Sequence, residues 1–179
     1  MTAISSSARN SSMEERPTME SNFEPKILVL ATLACAYPGA DAVGKAHLEY
    51  PSNVSILRVP SPVLFPEDFY ARAYARGIDG ILIASCGSDC PYQDAYQKLA
   101  RRIDGLVQKM KSGGLEIERM RLTAICTVCV KAFLKEVTQM DQKLREIGPV
   151  NRSAATEIWQ ASVRELQAGA PAQMVRSAS

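Results

Sequence analysis

Lys26-Ile-Leu-Val-Leu-Ala-Thr32 and Gly80-Ile-Leu-Ile-Ala-Ser85 are almost wholly apolar, with no polar residue alternating through them. A strand with one wet face alternates apolar and polar residues. A continuous apolar run bounded by turn residues marks a strand covered on both faces, as in parallel sheets flanked by helices. Working outward, Val54-Ser-Ile-Leu-Arg-Val59 and residues 119–125 read as two further strands. The segments between them carry helical signals. Pro38-Gly39 ends a loop before a short helix over residues 40–49, and Pro66-Glu67-Asp68 opens a helix that runs to Arg76 and stops at Gly77. Leu99, Ile103, Leu106, Val107 and Met110 stripe a helix over residues 93–111, closed by Gly113-Gly114. Phe133, Val137, Met140, Leu144 and Ile147 stripe another, broken by Gly148-Pro149. A last helix, residues 153–167, carries the single tryptophan, Trp159. Strands alternating with helices predict an α/β fold, a flavodoxin-like three-layer sandwich on a parallel sheet of about four strands in the order 2-1-3-4.

The chain of 179 residues suffices for one ordinary domain with tails. An apolar share of 46% and a charged share of 22% are those of a globular protein, and a net charge of +2 with scattered basic residues gives no footprint for nucleic acid. No apolar run approaches the roughly 20 residues that span a bilayer. Residues 1–24 are rich in serine and charge, lack the apolar core of a signal peptide, and are expected to be disordered. The expected organisation is a tail over 1–24, a flavodoxin-like domain over 25–150, a C-terminal helix over 151–167 and a flexible tail over 168–179. The expected compartment is the cytoplasm, where thiols stay reduced unless they hold metal or do redox chemistry.

Five cysteines occupy three places, and each place directly follows a predicted strand: Cys35, then Cys86 and Cys90, then Cys126 and Cys129. In an open parallel sheet the loops after the strands gather along one edge, so thiols distant in sequence converge there. Cys86-Gly-Ser-Asp-Cys90 and Cys126-Thr-Val-Cys129 each present two sulfurs from one turn. Four thiolates satisfy tetrahedral Zn²⁺ and equally a [2Fe–2S] or [4Fe–4S] cluster. A lone buried cysteine packs as a small hydrophobe, but two pairs and a fifth thiol at strand ends point to a metal centre. A dithiol of the thioredoxin kind at Cys126 and Cys129 is a further option. The loop Thr32-Leu-Ala-Cys-Ala-Tyr-Pro-Gly39 is poor in the hydroxyls and glycines that hold a flavin phosphate, and no dinucleotide or Walker loop is present. His47, the only histidine, falls within a predicted helix; Asp41, Asp89 and Asp94 read as caps or solvated acids. No nucleophile–base set is visible, so the chain reads as a carrier rather than a catalyst, with no substrate chemistry of its own.

Cys35-Ala-Tyr-Pro-Gly-Ala-Asp41, Tyr50-Pro-Ser-Asn-Val54, Arg58-Val-Pro60, Gly77-Ile-Asp-Gly80 and Cys86…Asp89-Cys90-Pro-Tyr92 occur in order, followed by the stretch 113–121 and Ile147-Gly-Pro149. Together they resemble the delta subunit of methyl-viologen-reducing hydrogenase, the hydrogenase iron–sulfur subunit, over about residues 25–150. The resemblance implies an electron-transfer subunit with a [2Fe–2S] cluster. It would connect a hydrogenase or another dehydrogenase module to a flavin-bearing heterodisulfide reductase A-like subunit, with related subunits in benzoyl-CoA reductase complexes. It implies Cys35, Cys86 and Cys90 as cluster ligands. The family pattern has further cysteines where this chain has Thr32 and Ser61, and a four-residue gap where Cys86 and Cys90 enclose three. It has none at Cys126 and Cys129. The expectation is therefore a cluster re-sited onto Cys86, Cys90, Cys126 and Cys129, with Cys35 as a fifth or alternative ligand. A zinc-binding scaffold subunit and a thiol–disulfide oxidoreductase are the alternatives.

Overall fold

The computed structural model describes residues 23–87, 94–127 and 130–169. Strands β1 (Ile27–Thr32), β2 (Val54–Val59), β3 (Gly80–Ser85) and β4 (Met120–Ala124) form one sheet in the order β2-β1-β3-β4, and every neighbouring pair is parallel. The fold is the α/β sandwich that the alternation predicts. Helices α1 (Ala36–Lys45), α2 (Glu67–Ala75), α3 (Ala95–Ser112), α4 (Val130–Ile147) and α5 (Arg152–Gly169) flank the sheet.

The apolar strands separate two cores. Ile27, Val29, Ala31, Leu82 and Ala84 pack with Ala36 and Val43 of α1 and with Phe133, Val137 and Leu144 of α4. Leu30, Ile81 and Ile83 face the other way, onto Tyr70 and Tyr74 of α2, Leu99 and Leu106 of α3 and Ile158 of α5. All six residues of β3 are buried, whereas the edge strands β2 and β4 alternate with exposed positions. Trp159 packs at the margin of the second core, and α5 lies along α2.

Two expectations change. The first helix spans residues 36–45, not 40–49, because Pro38 sits in its first turn, where no backbone N–H is required of it. His47 accordingly lies beyond the helix, in a turn with φ of 53°. The fourth strand begins at Met120, since a 3-10 turn occupies Ile117–Arg119. The expected tails over 1–24 and 168–179 lie outside the described residues except at their inner ends: Phe23 accepts a hydrogen bond from Arg145 Nη1 at 3.2 Å, and residues 168 and 169 belong to α5.

The ends of the strands differ in chemistry. At the N-terminal ends, Asp79, 5% exposed, accepts the N–H of Lys26 at 2.8 Å through Oδ2 and the N–H of Val150 at 2.9 Å through Oδ1. Beside it Arg119, fully buried, donates to Glu116 Oε2 and to the carbonyls of Asp79, Gly148 and Pro149. Tyr74 caps this knot by donating to the carbonyl of Arg119 at 2.8 Å. It ties β1, β3, the approach to β4 and the α4–α5 junction together. Cys35, Cys86 and Cys126 stand at the opposite, C-terminal edge.

Candidate metal centre

Cys35 caps the N-terminus of α1, one loop after β1, and Cys86 follows β3 directly. Because β1 and β3 are neighbours in register, Ala31 opposite Ala84, their following loops meet. Cys35 and Cys86 are joined as a disulfide with Cα atoms 5.5 Å apart, inside the ordinary span for such a bond. Cys86 is 9% exposed, while Cys35 is only half-buried.

The loop carrying Cys86 is bent inward by Gly87, whose φ of +63° a side chain would strain and whose Cβ would come within 3.0 Å of Ala124 Cβ at the end of β4. Ser85 closes the turn by accepting the Gly87 N–H at 3.2 Å, and the Ser85 carbonyl accepts the N–H of Ile125 at 2.9 Å. These contacts hold the end of β4 beside the Cys86 loop. Cys126 follows one residue later. A Cβ on Gly39, in the first turn of α1, would lie 3.4 Å from the Cys126 carbonyl oxygen, so the third cysteine loop abuts the helix that Cys35 begins. Cys126 is itself disulfide-bonded. The three strand ends thus bring Cys35, Cys86 and the backbone of Cys126 to one edge. Cys90 and Cys129 lie outside the described residues. Among the described residues no group of three metal-ligating side chains is complete.

Thr32, where the family pattern has a cysteine, lies buried at the junction of β1, β3 and α1. Its hydroxyl, 2% exposed, donates to the Ala84 carbonyl at 3.3 Å, accepts the Ala36 N–H at 3.4 Å, and lies 3.7 Å from Cys86 Sγ. Ser61, just past β2, is 3% exposed. Its carbonyl accepts the Leu64 N–H. Asp41 forms an exposed ion pair with Lys45, and Asp94 precedes α3 with a positive φ. Asp89 lies outside the described residues.

Around this edge the surface is apolar and basic. Leu33 is 50% and Leu64 is 67% exposed, and the Arg58 guanidinium lies over the Tyr37 ring. Grooves elsewhere among the described residues include one along α5 beside Trp159, Gln160, Val163 and Arg164, one beside β4 between Met120, Arg121, Met140 and Lys143, and one between Ala75 and the first turns of α5. No helix among the described residues is long and apolar enough to cross a membrane.

The family model for the methyl-viologen-reducing hydrogenase delta subunit matches residues 27–148, from the start of β1 to the end of α4. The chain belongs to this family. Its relatives include the iron-sulfur subunit of the F420-non-reducing hydrogenase of Archaeoglobus profundus, 32% identical over 132 residues that make up 73% of this chain and 96% of that one. The corresponding vhc iron-sulfur subunit of Methanococcus voltae is 30% identical over 132 residues, 73% of this chain and 92% of the other. A third relative is of another kind. The A component of the ferredoxin:CoB-CoM heterodisulfide reductase of Methanosarcina mazei is 29% identical over 133 residues, which are 74% of this chain but 17% of that longer protein. Family membership includes the knot as well as the cysteine edge, since Asp79 and Arg119 both lie within the matched residues.

Proposed function

We infer that this chain is the electron-relay subunit of a cytoplasmic oxidoreductase complex and holds a [2Fe–2S] cluster at the C-terminal edge of its sheet. The observation that carries this reading is the meeting of Cys35 and Cys86, from the ends of two adjacent strands, with the Cys126 loop against the same helix. Cys35, Cys86, Cys90, Cys126 and Cys129 supply the ligands, four of them at a time. Thiolates at these positions fit a soft iron–sulfur centre better than the hydroxyls of Thr32 and Ser61 do. The ligand set is thereby displaced from the β2 side of the β1 loop toward β4. When bound, the cluster supplies reversible one-electron transfer.

The chain's own residues do the rest. The first turn of α1, which Cys35 caps, carries no acid, so no carboxylate there opposes negative charge at the helix N-terminus. Burial of Cys86 and Thr32 keeps water from that side and leaves the Thr32 hydroxyl beside the sulfur as a polar neighbour. Exposed Leu33 and Leu64 flank the edge where a partner must approach for electrons to pass.

The relatives point to the partners. The hydrogenase iron-sulfur subunits suggest a hydrogenase or another dehydrogenase module as donor. A heterodisulfide reductase component that contains a segment like this domain suggests a flavin-bearing heterodisulfide reductase A-like protein as the second partner. A benzoyl-CoA reductase-type complex is the further setting that the resemblance implies. Anoxic purification of the full chain with its partners tests the reading. Two irons and two sulfides per chain, with visible charge-transfer absorbance, support it; zinc without sulfide, or neither metal, overturns it.

A further inference from the structure

We propose that Cys35 and Cys86 form a reversible dithiol–disulfide couple, opened and closed by exchange at the Cys35 sulfur, and that only the open pair accepts iron. The gate rests on the reading of these two cysteines as cluster ligands. A sulfur bonded to another sulfur is not a thiolate donor, so the disulfide and the doubly ligated metal are mutually exclusive states of one pair. The two residues come from the ends of the adjacent strands β1 and β3, held in register along their length, so closing the bond requires no rearrangement of the sheet.

The pair is asymmetric, and the asymmetry sets the direction of exchange. Cys35 is half-buried and lies next to exposed Leu33, whereas Cys86 is 9% exposed and has Thr32 packed beside it. Exchange depends on which sulfur the incoming thiolate can reach. A small dithiol therefore attacks Cys35 Sγ. The Cys35–Cys86 bond breaks, Cys86 leaves as thiolate and takes a proton from solvent, and a mixed disulfide forms at Cys35. The second thiol of the reductant then attacks its own bound sulfur, releases Cys35, and departs as the cyclic disulfide. Two electrons pass from the dithiol to the protein, and the reverse sequence, driven by the cyclic disulfide, closes the pair. In a reducing cytoplasm the pair stands open for metal; exposure to oxidised thiols closes it.

The experiment uses the full chain, freed of metal, in buffers of reduced and oxidised dithiothreitol. Peptide mapping should place the Cys35–Cys86 link, and alkylation should show it falling from about nine-tenths to about one-tenth oxidised over a hundredfold change in the buffer ratio. Ferrous iron and sulfide added anoxically should be taken up by the open form and refused by the closed form. With oxidised glutathione, the Cys86→Ser variant should form a mixed disulfide at Cys35 at least about tenfold faster than Cys35→Ser forms one at Cys86. Failure to find the link, failure to reverse it, or equal iron uptake by both forms overturns the proposal using unmutated protein alone. A reversible link with no iron uptake by either form removes the cluster reading, and the gate with it, while leaving the thiol couple measured. Equal rates for the two variants remove the assignment of Cys35 as the exchanging sulfur.

Discussion

Replacing Asp79 by alanine should be among the most damaging substitutions in the chain, although it lies at the edge of the sheet opposite Cys35, Cys86 and Cys126. Its carboxylate serves two backbone N–H groups, that of Lys26 at 2.8 Å, partly buried, and that of Val150 at 2.9 Å, buried. A hydrogen bond to a charged acceptor contributes about 1.5–3 kcal/mol, and a buried donor left unpaired costs about 1–3 kcal/mol. Discounting the Lys26 bond for its access to water, Asp79→Ala should lose about 2–5 kcal/mol, a large part of the roughly 5–15 kcal/mol that holds a domain folded. Asp79→Asn keeps the shape and one acceptor but turns an NH₂ group toward one of the two N–H donors. It should lose about half as much. Guanidinium unfolding followed by far-ultraviolet circular dichroism reads both losses as shifts in midpoint at unchanged slope. If Asp79→Ala lies within about 0.5 kcal/mol of the parent protein, the knot is not what fastens the N-terminal edge of the sheet. The alkylation pattern of Cys35 and Cys86 in the folded variant should match that of the parent, since the cysteines stand at the other edge.

A methyl group on Gly80 would meet Leu144 Cδ1 at 2.5 Å and Met140 Cε at 2.8 Å, so Gly80→Ala should destabilise by about 1–3 kcal/mol through overpacking, read as a lower melting temperature. An unchanged melting temperature would show that α4 yields freely there. Burial pushes the Tyr70 phenol up to about 12, the Arg102 charge opposing it, and burial likewise raises that of Tyr74 against Arg119. Unfolded phenols ionise from about pH 10 while these stay protonated, so the unfolded state binds fewer protons and stability falls as pH rises from 10 toward 12. Each tyrosine contributes at most about 1.4 kcal/mol per pH unit, and Tyr70→Phe should remove its share of the slope; an unchanged slope contradicts the assignment. Thr32→Cys places a thiol beside Cys86, where the family pattern has one, and should raise the iron retained per chain after anoxic reconstitution. No gain in iron would show that Thr32 does not face the proposed cluster.

The central strands were legible because burial on both faces forces every position to be apolar, and Val29, Leu30, Leu82 and Ile83 are fully buried. The order of the sheet followed from alternation of strand and helix. The start of α1 was not legible, because a proline reads as a break unless its place in the first turn is known, and that place depends on where Cys35 leaves the sheet. That the loops of Cys35, Cys86 and Cys126 meet was legible from topology alone, while Cys90 and Cys129 lie outside the described residues. Which sulfur meets which was not: the approach of Cys35 to Cys86 depends on the register of β1 with β3 and on the positive φ of Gly87. Asp79 and Arg119 went unnoticed as a pair because they are 40 residues apart. The available signal was a lone acid, Asp79, at the mouth of an apolar strand.

The two edges of the sheet explain how the chain keeps the family's fold while departing from its cysteine pattern. Gly77-Ile-Asp-Gly80, the stretch 113–121 and Ile147-Gly-Pro149 meet in the knot around Asp79 and Arg119. Cys35, Cys86 and the Cys126 loop meet at the opposite edge. The six residues of β1 separate the two groups by about 20 Å, at about 3.3 Å per residue. Energetic effects of substitutions more than about 7–10 Å apart, with no shared partner, are nearly additive. On the proposed ligand set, the sulfur edge can therefore exchange a ligand at Thr32 or Ser61 for one near Cys126 without loosening what positions the strands. Thr32 shows how such an exchange is tolerated. Its hydroxyl bridges the first turn of α1 to the end of β3 through hydrogen bonds to Ala36 and Ala84, a bridge that thiol donors make only weakly. Oxygen in place of sulfur there strengthens the junction that carries Cys35 and Cys86.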